Sequence, residues 1–249
     1  MLDFVRFMLH STKEIKYNIL DKQSIICYND SKMQPMSRKE IENMDFLQFL
    51  RDRYGYNEPI FVGEIQYEKY SKPWLYKELN RLCAEGDLVW FDKGVYYIPT
   101  QTILGNSLLD PRKVIEKKYL NGADGRMGYY SGVAFLNQLG MSTQMPNTIE
   151  LYTNKESMRV RQSSVGKQKL ILRSARTKVT SENVAVLSFL EMMNTVPASF
   201  FDERRKKIAE TYIAENNITR KAISEYAPVF PDKAMRTMVE SEVIYRVTR

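Results

Sequence analysis

The sequence predicts an α+β chain: an N-terminal module of three helices closed by a β-hairpin, followed by a mixed α/β domain with a helical end. Three observations predict it. A leucine stripe at helical spacing ends at Gly86 and runs straight into two short apolar runs around Asp92-Lys93-Gly94. Later in the chain, "TIELYT" (148–153) alternates with the two-residue period of a strand. From Phe201 onward the composition turns charged and helix-forming.

Taken in order, residues 1–36 lack clear periodicity and are left as an unassigned extension. Ser37 and Glu40 have the spacing of a capping box, and Ile41, Met44, Leu47, Phe49 and Leu50 give a helical stripe that Gly55 stops. Pro59 opens a short second segment, "IFVGEIQYE". A third helix is expected from Ser71 to Glu85, with Pro73 in its first turn, where a missing N–H costs little. Leu75, Leu79 and Leu82 make its buried face. Lys77, Asn80 and Arg81 fall opposite, with Trp74 on the flank. "LVWF" and "VYYI" pair as a hairpin with a three-residue loop, glycine taking the positive-φ position, and Pro99 closes the strand.

The second domain, 101–249, starts with a helix capped by Asp110 and Pro111 and running to Leu120. "NGADGRMG" is a loop, in which Asp124 has a turn role. Ser131 caps a helix ending at Gly140. Residues 167–174 read as a strand, and a helix follows from Ser181 to Met193. The helical end is broken at "APVFPDK".

Composition narrows the function. Net charge is +7, which favours a polyanionic partner without demanding one. Cys27 and Cys83 are far apart, so no disulfide framework or zinc site is implied, and a reducing cytoplasm fits. The N-terminus has no basic n-region or cleavage site of a secretory signal, and no run has the length of a membrane helix. His10 is the one histidine, so no Ser/His/Asp set or HExxH can be assembled. "SSVGKQK" lacks the phosphate-cradling P-loop spacing. Glu150 has no second acid at a fitting position nearby, as a metal-dependent nuclease would require. No catalytic residue, metal or cofactor is assigned.

Three helices and a two-stranded wing, residues 37–100, are the order of a winged helix-turn-helix, whose third helix enters the DNA major groove. Lys69, Ser71 and Lys72 at the helix entry suit phosphate contacts. Lys77 and Arg81 have the chemistry to read guanine edges, and Asn80 an adenine. Trp74 has two readings, DNA contact or packing on the first helix. Lys93 stands at the wing tip. The alternative is that the module contacts protein and its basic face is only solvated.

A second basic signal spans 158–178, which holds seven Lys/Arg and no acid. On a strand, Lys167, Lys169 and Arg173 share one face, and Arg159 and Arg161 likewise share one. That surface suits nucleic acid or an acidic partner; a solvated face that discourages edge aggregation is the other reading.

"KGVYYIP" at the wing, followed by "GYYSGVAFLNQLGMSTQMPNTIELYTN" (128–154), resembles the AbiE-type antitoxins of type IV toxin–antitoxin systems, which are related to phage defence. The resemblance covers about residues 37–195 and matches Tyr129, Tyr130 and Ser131 to its motif. It implies a repressor that binds double-stranded operator DNA through residues 71–85. It also implies a C-terminal domain that counters a neighbouring nucleotidyltransferase-like toxin without needing a stable complex. Two other function classes stay open. One is a transcriptional regulator with a C-terminal sensor or dimerisation domain; the other is a nucleic-acid enzyme.

Overall fold

The computed structural model describes residues 38–66 and 71–247, with side chains from Phe46 onward. The extension 1–36, with His10 and Cys27, and the entry residue Lys69 lie outside the described residues. The fold is mixed α and β, as the sequence predicts. Among the described residues no helix is long and apolar enough to cross a membrane.

The chain divides after Gln48. Before that point the structure describes the start of helix α1 (Arg38–Tyr54), on which Phe46 is buried. From Phe49 onward the rest of α1 leads to strand β1 (Ile60–Phe61) and a single 3-10 turn, Val62–Glu64, within the short second segment that the sequence opens at Pro59. Helix α2 (Lys72–Glu85) and the hairpin of β2 (Val89–Asp92) and β3 (Val95–Tyr97) follow. The three strands form one antiparallel sheet in the order β1-β3-β2, the winged-helix arrangement. Asp92 belongs to the strand and not to the loop, because a bulge at Phe91 absorbs one residue of the register. Gly94 has φ of 71°, the conformation its turn needs.

The wing sheet is apolar on both faces. Ile60, Tyr96 and Trp90 stand opposite one another in register, as do Phe61 and Val95. Strand side chains alternate, so the two sets point to opposite sides. Val95 and Tyr97 belong to the continuous core of the second half of the chain, and Phe61, Val89 and Phe91 pack against it. Leu50, Ile60, Val62, Leu75, Leu79, Leu82, Leu88, Tyr96 and Ile98 are buried outside that cluster. No break in the core therefore marks residue 100. Polar ties reinforce the joint: Lys117 Nζ donates to the Pro59 carbonyl at 2.9 Å and pairs with Glu64 at 3.1 Å. Lys113 Nζ donates to the Asn57 carbonyl at 3.0 Å.

Next come a hairpin of β4 (Gln101–Thr102) and β5 (Gly105–Asn106), not anticipated from sequence, and α3 (Pro111–Ile115), which continues as a π-helical turn to Leu120. Asp110 caps α3, its side chain accepting from the Arg112 N–H at 2.9 Å. The expected "NGADGRMG" loop is a small hairpin of β6 (Asn121–Gly122) and β7 (Gly125–Arg126), with Asp124 exposed at its tip.

The main sheet holds β8 (Gly128–Ser131), β9 (Thr148–Thr153), β10 (Val160–Val165) and β11 (Gln168–Ser174) in the order β10-β11-β9-β8. The β11/β9 pair is parallel and the other two pairs are antiparallel. The short helix α4 (Gly132–Gln138) follows β8, and helix α5 (Val184–Thr195) is buried from Val186 to Met193. Helices α6 (Glu203–Glu215), α7 (Arg220–Tyr226) and α8 (Asp232–Glu240) complete the helical end.

Residues 37–100 cut from the chain would expose Phe61, Val89, Phe91, Val95 and Tyr97 as one apolar patch. Such a fragment is expected to self-associate and to bind a hydrophobic dye, whereas the full chain should not. A monomeric, dye-silent fragment in gel filtration would show that this face needs no cover.

Candidate nucleic-acid interface

Helix α2 buries Leu75, Leu79 and Leu82, as its spacing predicts. Its opposite face presents Lys72, Tyr76, Lys77 and Asn80, residues that line up at four-residue intervals or beside them. Ser71 is exposed at the N-cap, but its side chain makes no capping bond. Trp74 is half-buried. Lys72, Lys77 and Lys93 have no ion-pair partner among the described residues. Tyr76 on α2 and Trp90 on β2 are each half or more exposed. The sequence reading assigned neither to the interface.

Arg81 is differently placed. Its guanidinium binds Glu78, with Nε donating at 2.9 Å, and Glu85, with an ion pair of 2.5 Å. Glu78 is buried, so its carboxylate depends on this partner. The hydrogen bond to Glu78 raises the Arg81 guanidinium further above its already high ordinary range. A side chain held at both ends along its own helix is not free to read a guanine edge. The Glu78–Arg81–Glu85 spacing that creates the clamp is visible in the sequence.

The wing tip meets the turn between β10 and β11. The Gly166 N–H donates to Asp92 Oδ2 at 3.1 Å, and the Lys93 N–H donates to Asp92 Oδ1 at 2.7 Å. The bulge lets two successive residues, Phe91 and Asp92, both reach Gly166. Glycine is favoured there on two counts: φ is +54°, and a Cβ would stand 3.0 Å from the Phe91 ring, a tight contact. This contact sets Lys93 and Lys167, each one residue from a bonded partner, on adjoining loops.

The second basic set does not form one face. Lys167 lies in the turn rather than on the strand. In register, Arg173 lies opposite Val160, and Arg161 opposite the buried Leu172, so the two arginines occupy opposite faces. Arg173 is ion-paired to Glu150, and Arg161 to the buried Glu156 at 2.5 Å. Arg161 holds the Glu156 carboxyl below its usual range. Arg159, Lys167 and Lys169 remain exposed and have no ion-pair partner among the described residues.

Beneath the main sheet lies a polar network that sequence reading missed. Glu191 on α5 is buried, accepts from the Tyr152 hydroxyl at 3.1 Å, and pairs with Arg176 at 3.0 Å. Arg173 lies in the fields of both Glu150 and Glu191, so Glu150 is not an isolated acid. Both carboxylates are nevertheless committed to arginines. The sole sequence signal was a glutamate inside the apolar run "VAVLSFLEMMNT". Among the described residues, no three His, Cys, Asp or Glu side chains stand together as a metal site.

A family model matches residues 61–216, more than half of the 249-residue chain. The chain belongs to the DUF6088 family of unknown function. The DUF6088 match runs from β1 to the end of α6, so it takes in α2, the wing and the main sheet together. No curated protein matches the chain.

Arg81→Ala should leave the Glu78 carboxylate buried and unpaired, at a cost of about 1–3 kcal/mol in urea unfolding. Adding Glu78→Gln should recover much of that loss. A loss no larger than an exposed pair's, below about 0.5 kcal/mol, would show that water solvates Glu78 adequately.

Proposed function

We propose that this DUF6088 protein is an AbiE-type antitoxin that binds double-stranded operator DNA to repress its own promoter. One observation carries the DNA-binding half of this reading. In a winged-helix arrangement, the outer face of α2 and the wing tip present Lys72, Lys77, Asn80 and Lys93, and among the described residues none of these lysines is spent on a carboxylate. Phosphates are the ligands such unpaired cations suit, and Asn80 supplies a group for an adenine edge. The net charge of +7 agrees. Arg81 supports the helix rather than reading bases. The β10–β11 turn lies beside the wing tip, so Lys167 extends the same contact along the backbone of the duplex. The antitoxin half rests on the likeness of residues 128–154 to AbiE-type antitoxins. In this reading the second domain counters a neighbouring nucleotidyltransferase-like toxin in the cytoplasm, without a stable complex and without catalysis by this chain.

Fluorescence anisotropy of the full chain on the DNA upstream of its gene tests the first half. Lys72→Ala, Lys93→Ala and Lys167→Ala are each expected to weaken all sequences alike and to lower the salt slope by about one. Asn80→Ala should instead cost about 1–3 kcal/mol on the preferred site only. An unchanged slope for Lys167→Ala would take the β10–β11 turn off the duplex, and no shift at low salt would end the DNA reading. Co-expression with the adjacent open reading frame tests the second half: rescue is expected from the full chain, and growth arrest despite its presence would refute it.

A further inference from the structure

The main sheet ends at β8, and a cavity of about 290 Å³ lies beside that edge strand. It is lined by the π-helical turn, β7, α4, α5 and α6, all C-terminal to residue 115, and is partly open to solvent. Leu120, Phe135, Leu139 and Tyr212 give it apolar walls, and the Phe135 and Tyr212 rings meet edge to face at 5.6 Å. The volume is near the lower end for small-molecule sites and suits a ligand of about ten to fifteen heavy atoms.

Two charged residues distinguish it from a packing defect. Glu116 and Arg126 line the cavity, and the charges of both act on the Tyr130 hydroxyl, as do those of Asp110 and Arg112. Neither Glu116 nor Arg126 is in an ion pair with the other or with any described residue. An acid and a base that face one small space without neutralising each other fit a ligand bearing both complements.

We infer that this cavity binds a small zwitterion of amino-acid size, its amine toward Glu116, its acid toward Arg126 and its apolar body against Phe135 and Tyr212. The inference does not depend on the antitoxin reading.

The test is calorimetric titration of the full chain with L-phenylalanine, with L-leucine, L-tyrosine and L-tryptophan as further probes. Saturable binding is expected, with a rise in unfolding temperature. Phenethylamine and 3-phenylpropionate, each lacking one charge, should bind about tenfold or more weakly. Glu116→Gln and Arg126→Gln should weaken L-phenylalanine binding similarly. No saturable binding of any of the four amino acids at about 10 mM would overturn the inference. So would equal affinity for phenethylamine, or undiminished binding by both charge variants.

Discussion

The three-stranded wing sheet has no solvent face to spare. One side carries Ile60 and Tyr96, buried with the leucines of α2, and the other carries Val95 and Tyr97, buried in the core of the second half. Burial of apolar area contributes about 25 cal/mol per Å², so a sheet shared by two cores is stabilised from both sides. It also fixes orientation, since moving α2 relative to the main sheet would expose one face or the other. Lys113 and Lys117 add directional bonds across the same joint.

Charge follows a pattern that the composition conceals. Arg81, Arg161, Arg173 and Arg176 each neutralise a glutamate, and Glu78, Glu156 and Glu191 are buried. A planar guanidinium with several donors suits such fixed, partly desolvated geometry. Lys72, Lys77, Lys93, Lys167 and Lys169 are exposed and, unlike Lys113, Lys117 and Lys206, have no ion-pair partner among the described residues. A flexible, strongly hydrated ammonium suits contacts with phosphates better than it suits burial.

Much of this fold is legible in the sequence because its signals are local. The leucine period of α2, the Asp110-Pro111 cap, the glycine of the wing turn and the alternation of β9 each dictate their element without outside help. What is not legible depends on partners distant in the chain. Gly166 reads as one more loop glycine until Phe91 arrives against it from the wing. The basic strip at 158–178 looks uniform because Glu150 and Glu156, which neutralise two of its members, lie outside it. Ser131 sits at the start of α4 as its type suggests, but its hydroxyl makes no capping bond and is left buried without a partner. At the interface, the helix and its lysines follow from spacing. The clamp on Arg81 was spelled out at i−3 and i+4, but its force comes from the burial of Glu78, which spacing does not reveal.

The two-faced wing has an evolutionary consequence. A small module joined to its host by a polar linker can be traded between proteins as a cassette. Here the module's hairpin supplies part of its host's interior, and its tip is keyed to a glycine more than seventy positions away. Recombination near residue 100 would deliver a hairpin whose inner surface fits no new host. Change on this surface within the lineage is thus channelled into point substitutions on the outer face of α2, where Lys72, Tyr76, Lys77 and Asn80 can vary without disturbing either interior.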